Sequence, residues 1–169
     1  MHCIQVLIGR AEVLAEAKRR FPSAVPCPLA QGLALVPITD RLVDALEAIA
    51  HDAADTLLPK SGEMTPGVAA LAAELSRKGP VVYAATFLFG GTGGQDAVVW
   101  IDGEIVLNLG DDEDSMSAWP DSPISRALRH IGVVAATVED EFDAIGLGRY
   151  RSNEAWAQQV ARPSEAHPG

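Results

Sequence analysis

Cysteine is nearly missing from the 169-residue chain, with Cys3 and Cys27 the only two. Two sulfurs and no C-x-x-C pattern exclude a tetrahedral structural zinc site of the cysteine type and a disulfide framework. Long apolar runs are missing too. Nothing approaches the roughly 18 unbroken apolar residues of a membrane span, so no membrane association is expected. Cations are few: 13 Lys plus Arg stand against 23 Asp plus Glu, a formal charge of -10. Such a balance repels phosphate backbones and sets direct nucleic-acid binding aside. The spacings of recurrent catalytic sites are also lacking. The histidines at 2, 51, 130 and 167 form no H-x-x-x-H or H-E-x-x-H, no Ser lies in G-x-S-x-G, and Cys27 between Pro26 and Pro28 reads as a loop residue. No cofactor and no metal are expected.

What remains is an ordinary folding sequence, 48% apolar and 21% charged. Its length suits one domain with a real core, expected over residues 1–161 with a flexible tail over 162–169. Alanine supplies 27 of the apolar residues, so the core is smaller than the percentage suggests. Met1 to Ile8 lacks the basic region and cleavage site of a signal peptide and reads as a strand, which points to a bacterial-type cytoplasmic protein.

The apolar run Cys3–Ile8 predicts a strand buried on both faces. Val13, Leu14, Ala17 and Phe21 then mark a helix over residues 11–21. Pro22, Pro26 and Pro28 break regular structure. Leu33–Ile38 predicts a second strand, and Thr39-Asp40 caps a helix bearing Leu42, Leu46, Ile49 and Ala53. Thr65-Pro66 opens a helix with Val68, Leu71, Ala72 and Leu75 on one stripe. Strands are expected at 81–89, 95–101 and 104–109, the last two joined by a two-residue mirror-image turn at Asp102-Gly103. That turn predicts Trp100 across from Ile105 and Val98 across from Leu107, all four on one face. Ser122-Pro123 starts a helix with Ile124, Ala127, Leu128 and Ile131 inward. Thr137 is expected to cap a short acidic helix ended by Gly146, and Ser152 a last helix reaching Val160. The fold class is therefore α+β: an antiparallel meander sheet at about 81–109, extended by the short N-terminal strands, with helices packed on one face.

Three constellations invite a functional interpretation. Gly90-Gly91-Thr92-Gly93-Gly94-Gln95 lacks the Lys of a Walker loop and the G-x-G-x-x-G of a dinucleotide loop. It lies between two strands and reads as a five-residue hairpin connection. Asp111-Asp112-Glu113-Asp114 fails as an EF-hand, because the sixth position is Met116 and the twelfth Ser122. Flanked by Trp119, it suits a basic protein partner, with carboxylates steering encounter and the indole anchoring it. Glu139, Asp140, Glu141 and Asp143 add a second acidic cluster. Residues 111–169 hold 11 acidic and 5 basic groups, most of the excess charge.

The stretch from Tyr83 to Trp156 has a recognisable texture in Phe89-Gly90-Gly91-Thr92-Gly93-Gly94-Gln95, Ala97-Val98-Val99-Trp100, Pro123-Ile124-Ser125-Arg126-Ala127-Leu128 and Asp140-Glu141-Phe142-Asp143-Ala144-Ile145-Gly146-Leu147. It resembles small bacterial proteins of the toxin-immunity type, and the resemblance implies a binding role. The leading expectation is thus a non-enzymatic acidic protein that binds and inhibits a basic partner, such as a toxin domain. Its contact residues would be Asp111, Asp112, Glu113, Asp114, Trp119, Glu139 and Glu141. Two alternatives stay open: a small enzyme using Asp96, Glu139, Glu141 and His130, or a structural module of a homo-oligomer, for which an extensive apolar face outside the core would be the sign.

Overall fold

The first strand, β1 (His2–Arg10), buries Ile4, Val6, Leu7 and Ile8 completely. With no alternation of polar and apolar residues, it requires cover on both faces. The computed structural model, which describes residues 2–48, 64–89, 92–111, 117, 120–135 and 140–161, provides that cover. β1 lies inside a six-stranded sheet of order β2-β3-β1-β4-β5-β6. The other strands are β2 (Cys27–Pro28), β3 (Leu33–Pro37), β4 (Val81–Phe89), β5 (Thr92–Ile101) and β6 (Glu104–Gly110). Every neighbouring pair is antiparallel. The α+β class and the meander extended by N-terminal strands are both present.

The helices depart from the expectation of a single covered face. α1 (Ala11–Arg20), α2 (Asp40–Glu47) and α3 (Pro66–Leu75) pack with Leu7, Tyr83, Val98 and Trp100 on one side. α4 (Pro123–His130), α5 (Glu141–Ile145) and α6 (Asn153–Ala161) belong to the other side, where Ile124, Leu128, Ile145 and Trp156 cover Ile4, Val6, Val82 and Val99. The reason lies in β1 and β4. Val81, Val82, Tyr83, Ala84 and Ala85 are all buried, so neither face of the sheet centre can meet water.

Caps and turns follow local chemistry. The Thr39 and Thr65 hydroxyls accept from Leu42 N at 3.3 Å and Val68 N at 3.4 Å, and Pro66 opens α3. Ser152 Oγ accepts from Ala155 N at the start of α6. The described part of α2 ends at Glu47, and Ile49 and Ala53 lie outside the described residues, as do Thr137 and the tail over 162–169. The cap of α5 is Asp140 rather than Thr137, because its Oδ1 accepts from Asp143 N at 2.9 Å. Among the prolines, Cys27–Pro28 forms a two-residue outer strand, a position where Pro is tolerated.

The β5–β6 hairpin turns on Asp102 and Gly103 with φ of 52° and 83°, the mirror-image turn expected. Its register differs beyond Ile105. Trp100 faces Ile105, but Val99 faces Leu107 and Val98 faces Asn108, with a bulge between Val99 and Trp100. One extra residue, Val106, is pushed outward to 45% exposure. The shift turns Leu107 toward the Ile124 and Leu128 side while Ile105 stays with Trp100, so both apolar neighbours are covered.

The glycine run is also corrected. Phe89 pairs with Thr92, Leu88 with Gly93 and Phe87 with Gly94, so Thr92, Gly93 and Gly94 are ladder residues and only Gly90 and Gly91 connect the strands. Gly94 answers a need for close approach: a Cβ there would lie 2.9 Å from Asp111 Cβ.

Candidate functional site

The end of the sheet where β6 runs into the acidic segment is built around α4. Asp111 follows β6 directly, and both of its carboxylate oxygens are engaged by backbone. Oδ2 accepts from Gln95 N and Oδ1 from Ser117 N, each at 3.0 Å, while Asp111 N donates to Gln95 O. Gln95 in turn uses its side chain on α4, where Oε1 accepts from Ile124 N at 3.1 Å. Ser122 makes no side-chain cap there, so an amide from β5 satisfies the first turn of the helix.

Arg129, near the other end of α4, ties the surroundings together. Its Nη1 donates to Glu141 Oε1 at 3.1 Å and its Nη2 to Pro120 O at 2.5 Å. Glu141 is only 3% exposed and Arg129 considerably more, so the pair is half-buried against α4 and α5. The chain from Asp111 to Pro120 is thus held at both ends, by Asp111 against β5 and by Pro120 against Arg129. Glu141 and the Asp140 cap belong to α5, which packs on the same helix. Asp111 and Glu141, far apart in sequence, are thus both tied to α4, the first through Gln95 and the second through Arg129.

Of the seven expected contact residues, Asp111 and Glu141 are described, and both are anchors: one turned to backbone amides, the other to a guanidinium. Asp112, Glu113, Asp114, Trp119 and Glu139 lie outside the described residues. Among the described residues around α4, Asp121 and Asp143 are exposed carboxylates. Sequence reasoning missed the positioning roles of Gln95 and Arg129. The only trace of the latter was a basic residue in the last turn of a helix next to two acidic clusters.

The residues of the enzymatic alternative do not converge. Asp96 is buried at 3% exposure on the α1–α3 side, its register neighbour Ala85 packing with Trp100 and Tyr83. Glu141 lies beyond the opposite face, His130 is exposed at the end of α4, and Glu139 is outside the described residues. A groove of about 340 Å³ lined by Arg10, Glu12, Gln31, Pro80 and Gly132 contains none of them. Among the described residues no group of three His, Cys, Asp or Glu could hold a metal ion. Burial pushes the Cys27 thiol up to about 11, which keeps it protonated and poorly nucleophilic at neutral pH.

No protein-family model matches the chain, and no curated protein or solved structure matches it. No described helix is long and apolar enough to cross a membrane.

Proposed function

We propose that the chain is a non-enzymatic binding protein that captures and inhibits a basic protein partner, with a bacterial toxin domain as the occupant suggested by the resemblance of residues 83–156, acting in the cytoplasm. The observation that carries this reading is that two carboxylates from the acidic last third of the chain, Asp111 and Glu141, are both tied to α4, through Gln95 and Arg129, with exposed Asp121 just before that helix and exposed Asp143 on α5, which packs against it. An excess of carboxylates, 11 against 5 basic groups over residues 111–169 of a chain of charge -10, creates a field that attracts a cationic surface and raises its rate of encounter. The cations of the α1 end do not cancel it. Arg19 and Lys78 pair with Glu16, holding its carboxyl below the usual range, and Arg20 pairs with Glu74.

The test is the association rate with the partner recovered from the native cell, measured against ionic strength. Reversing Asp112 and Asp114 to Lys is expected to slow association about tenfold at low salt and to flatten its salt dependence. Asp111 is left intact because its carboxylate holds backbone. An unchanged rate with both charges reversed would remove this loop from the interface.

A further inference from the structure

The two edges of the sheet are unlike. One is the two-residue β2 with its proline, and the other is β6, seven residues long, without proline or a cation. An outer strand leaves about half of its backbone N–H and C=O groups pointing away from the sheet, and no described strand pairs with β6 on that side. The hairpin carrying β6 also holds Ile101 and Val106, 36% and 45% exposed. Among the described residues, Val134 is the only large exposed apolar side chain elsewhere.

We infer that β6 is a docking edge for an extended basic segment of a protein partner, which adds to the sheet as a seventh strand. Backbone hydrogen bonding would supply the pairing, Val106 an apolar contact, and charge the selection. Exposed Asp102 and Glu104 flank one end of β6. Asp111, half-buried with its carboxylate held by two backbone amides, flanks the other. The nearby cation, Arg77, lies over the turn, its Nε 3.4 Å from where a Cβ on Gly103 would stand. Charge also argues against a second copy as the occupant. Antiparallel self-pairing centred on Leu107 would bring the Glu104 end of one copy onto the Asp111 end of the other, acid against acid. The bulge at Val106 discourages indiscriminate pairing along the same edge.

This deepens the proposed function and relies on it only for the sign of the partner's charge. The test is backbone amide exchange by NMR on the whole chain, with an eight-residue peptide of alternating Lys and Val as the probe. Peptides of alternating Glu and Val, and of alternating Lys and Pro, are the controls. The Lys-Val peptide is expected to slow exchange of β6 amides about tenfold or more at saturation, an effect that fades with salt and that neither control reproduces. Val106→Lys leaves the backbone of the edge in place and is expected to weaken binding about tenfold through charge repulsion. Salt-dependent binding with β6 exchange unchanged would overturn strand addition while leaving an acidic docking surface in place. No binding of the Lys-Val peptide, or equal protection by the Glu-Val peptide, would overturn the proposal as well. So would protection that grows with protein concentration alone, because the occupant would then be a second copy.

Discussion

Arg129 concentrates the architecture of the acidic end in one side chain. It compensates a carboxylate that is 3% exposed and supplies a donor to the Pro120 carbonyl. Breaking a buried pair costs about 3–5 kcal/mol, but Arg129 is partly in water, and solvent screening reduces that figure. Arg129→Ala is therefore expected to destabilise the protein by about 1–3 kcal/mol in urea denaturation, with Arg129→Lys intermediate because it keeps the charge without the two-armed reach. A loss below about 0.5 kcal/mol would mean that the guanidinium is not the fastening described. Little of this is visible in sequence. Asp111 and Glu141 both sit in acidic runs that look solvated, and only folding shows them turned inward, one to amides and one to an arginine 12 positions away. Composition reports the sign of a surface, whereas which carboxylates face water depends on partners brought from other elements.

At the scale of elements, the sequence signals that survive are the local ones. Thr39, Thr65-Pro66, Ser152 and Asp102-Gly103 act through atoms within a few residues, and each appears where its chemistry places it. What escapes is non-local. The bulge at Val106 exists because Ile105 and Leu107 are wanted by opposite layers, and the hairpin turn is docked on α3 by contacts to one distant residue. Ser76 Oγ accepts from Gly103 N at 2.8 Å, and Ser76 O accepts from Asp102 N at 3.1 Å. Gly67 is another such case. It opens the α2–α3 contact, and a Cβ there would stand 2.9 Å from Leu46 Cβ and 3.3 Å from Leu46 backbone carbon. Because backbone is among the atoms met, the helices must part. Gly67→Ala should destabilise by about 1–2 kcal/mol, the overpacking outweighing the better helix propensity of alanine. Thermal denaturation checks the sign, and a stabilised variant would show that α2 moves at no cost.

At the scale of the whole molecule, two covered faces explain how an alanine-rich chain builds a sheet core. Ala84, Ala85 and Ala97 are fully buried in the central strands, and larger residues are supplied both by the sheet, as Ile4, Leu7, Tyr83 and Trp100, and by helices on both sides, as Leu14, Leu42, Ile124 and Trp156. The same three-layer arrangement ties Asp111 and Glu141, from the acidic last third of the chain, to one helix, α4. A net charge of -10 on 17.8 kDa repels itself, and most of the excess lies in residues 111–169. If that charge served only solubility, spreading it would cost less than gathering it. Neutralising part of it therefore separates the two explanations. The double variant Asp112→Asn and Asp114→Asn relieves repulsion and is expected to raise stability by a few tenths of a kcal/mol at low salt, with the gain vanishing as salt shortens the Debye length to about 10 Å at 0.1 M. The same variant should lose association rate with the proposed basic partner, the trade expected of a surface kept for function at some cost to stability. Melting temperature and on-rate measured on one preparation decide the matter. A variant that is more stable and binds as fast as the native chain would show that the gathered carboxylates serve solubility and that the partner docks elsewhere.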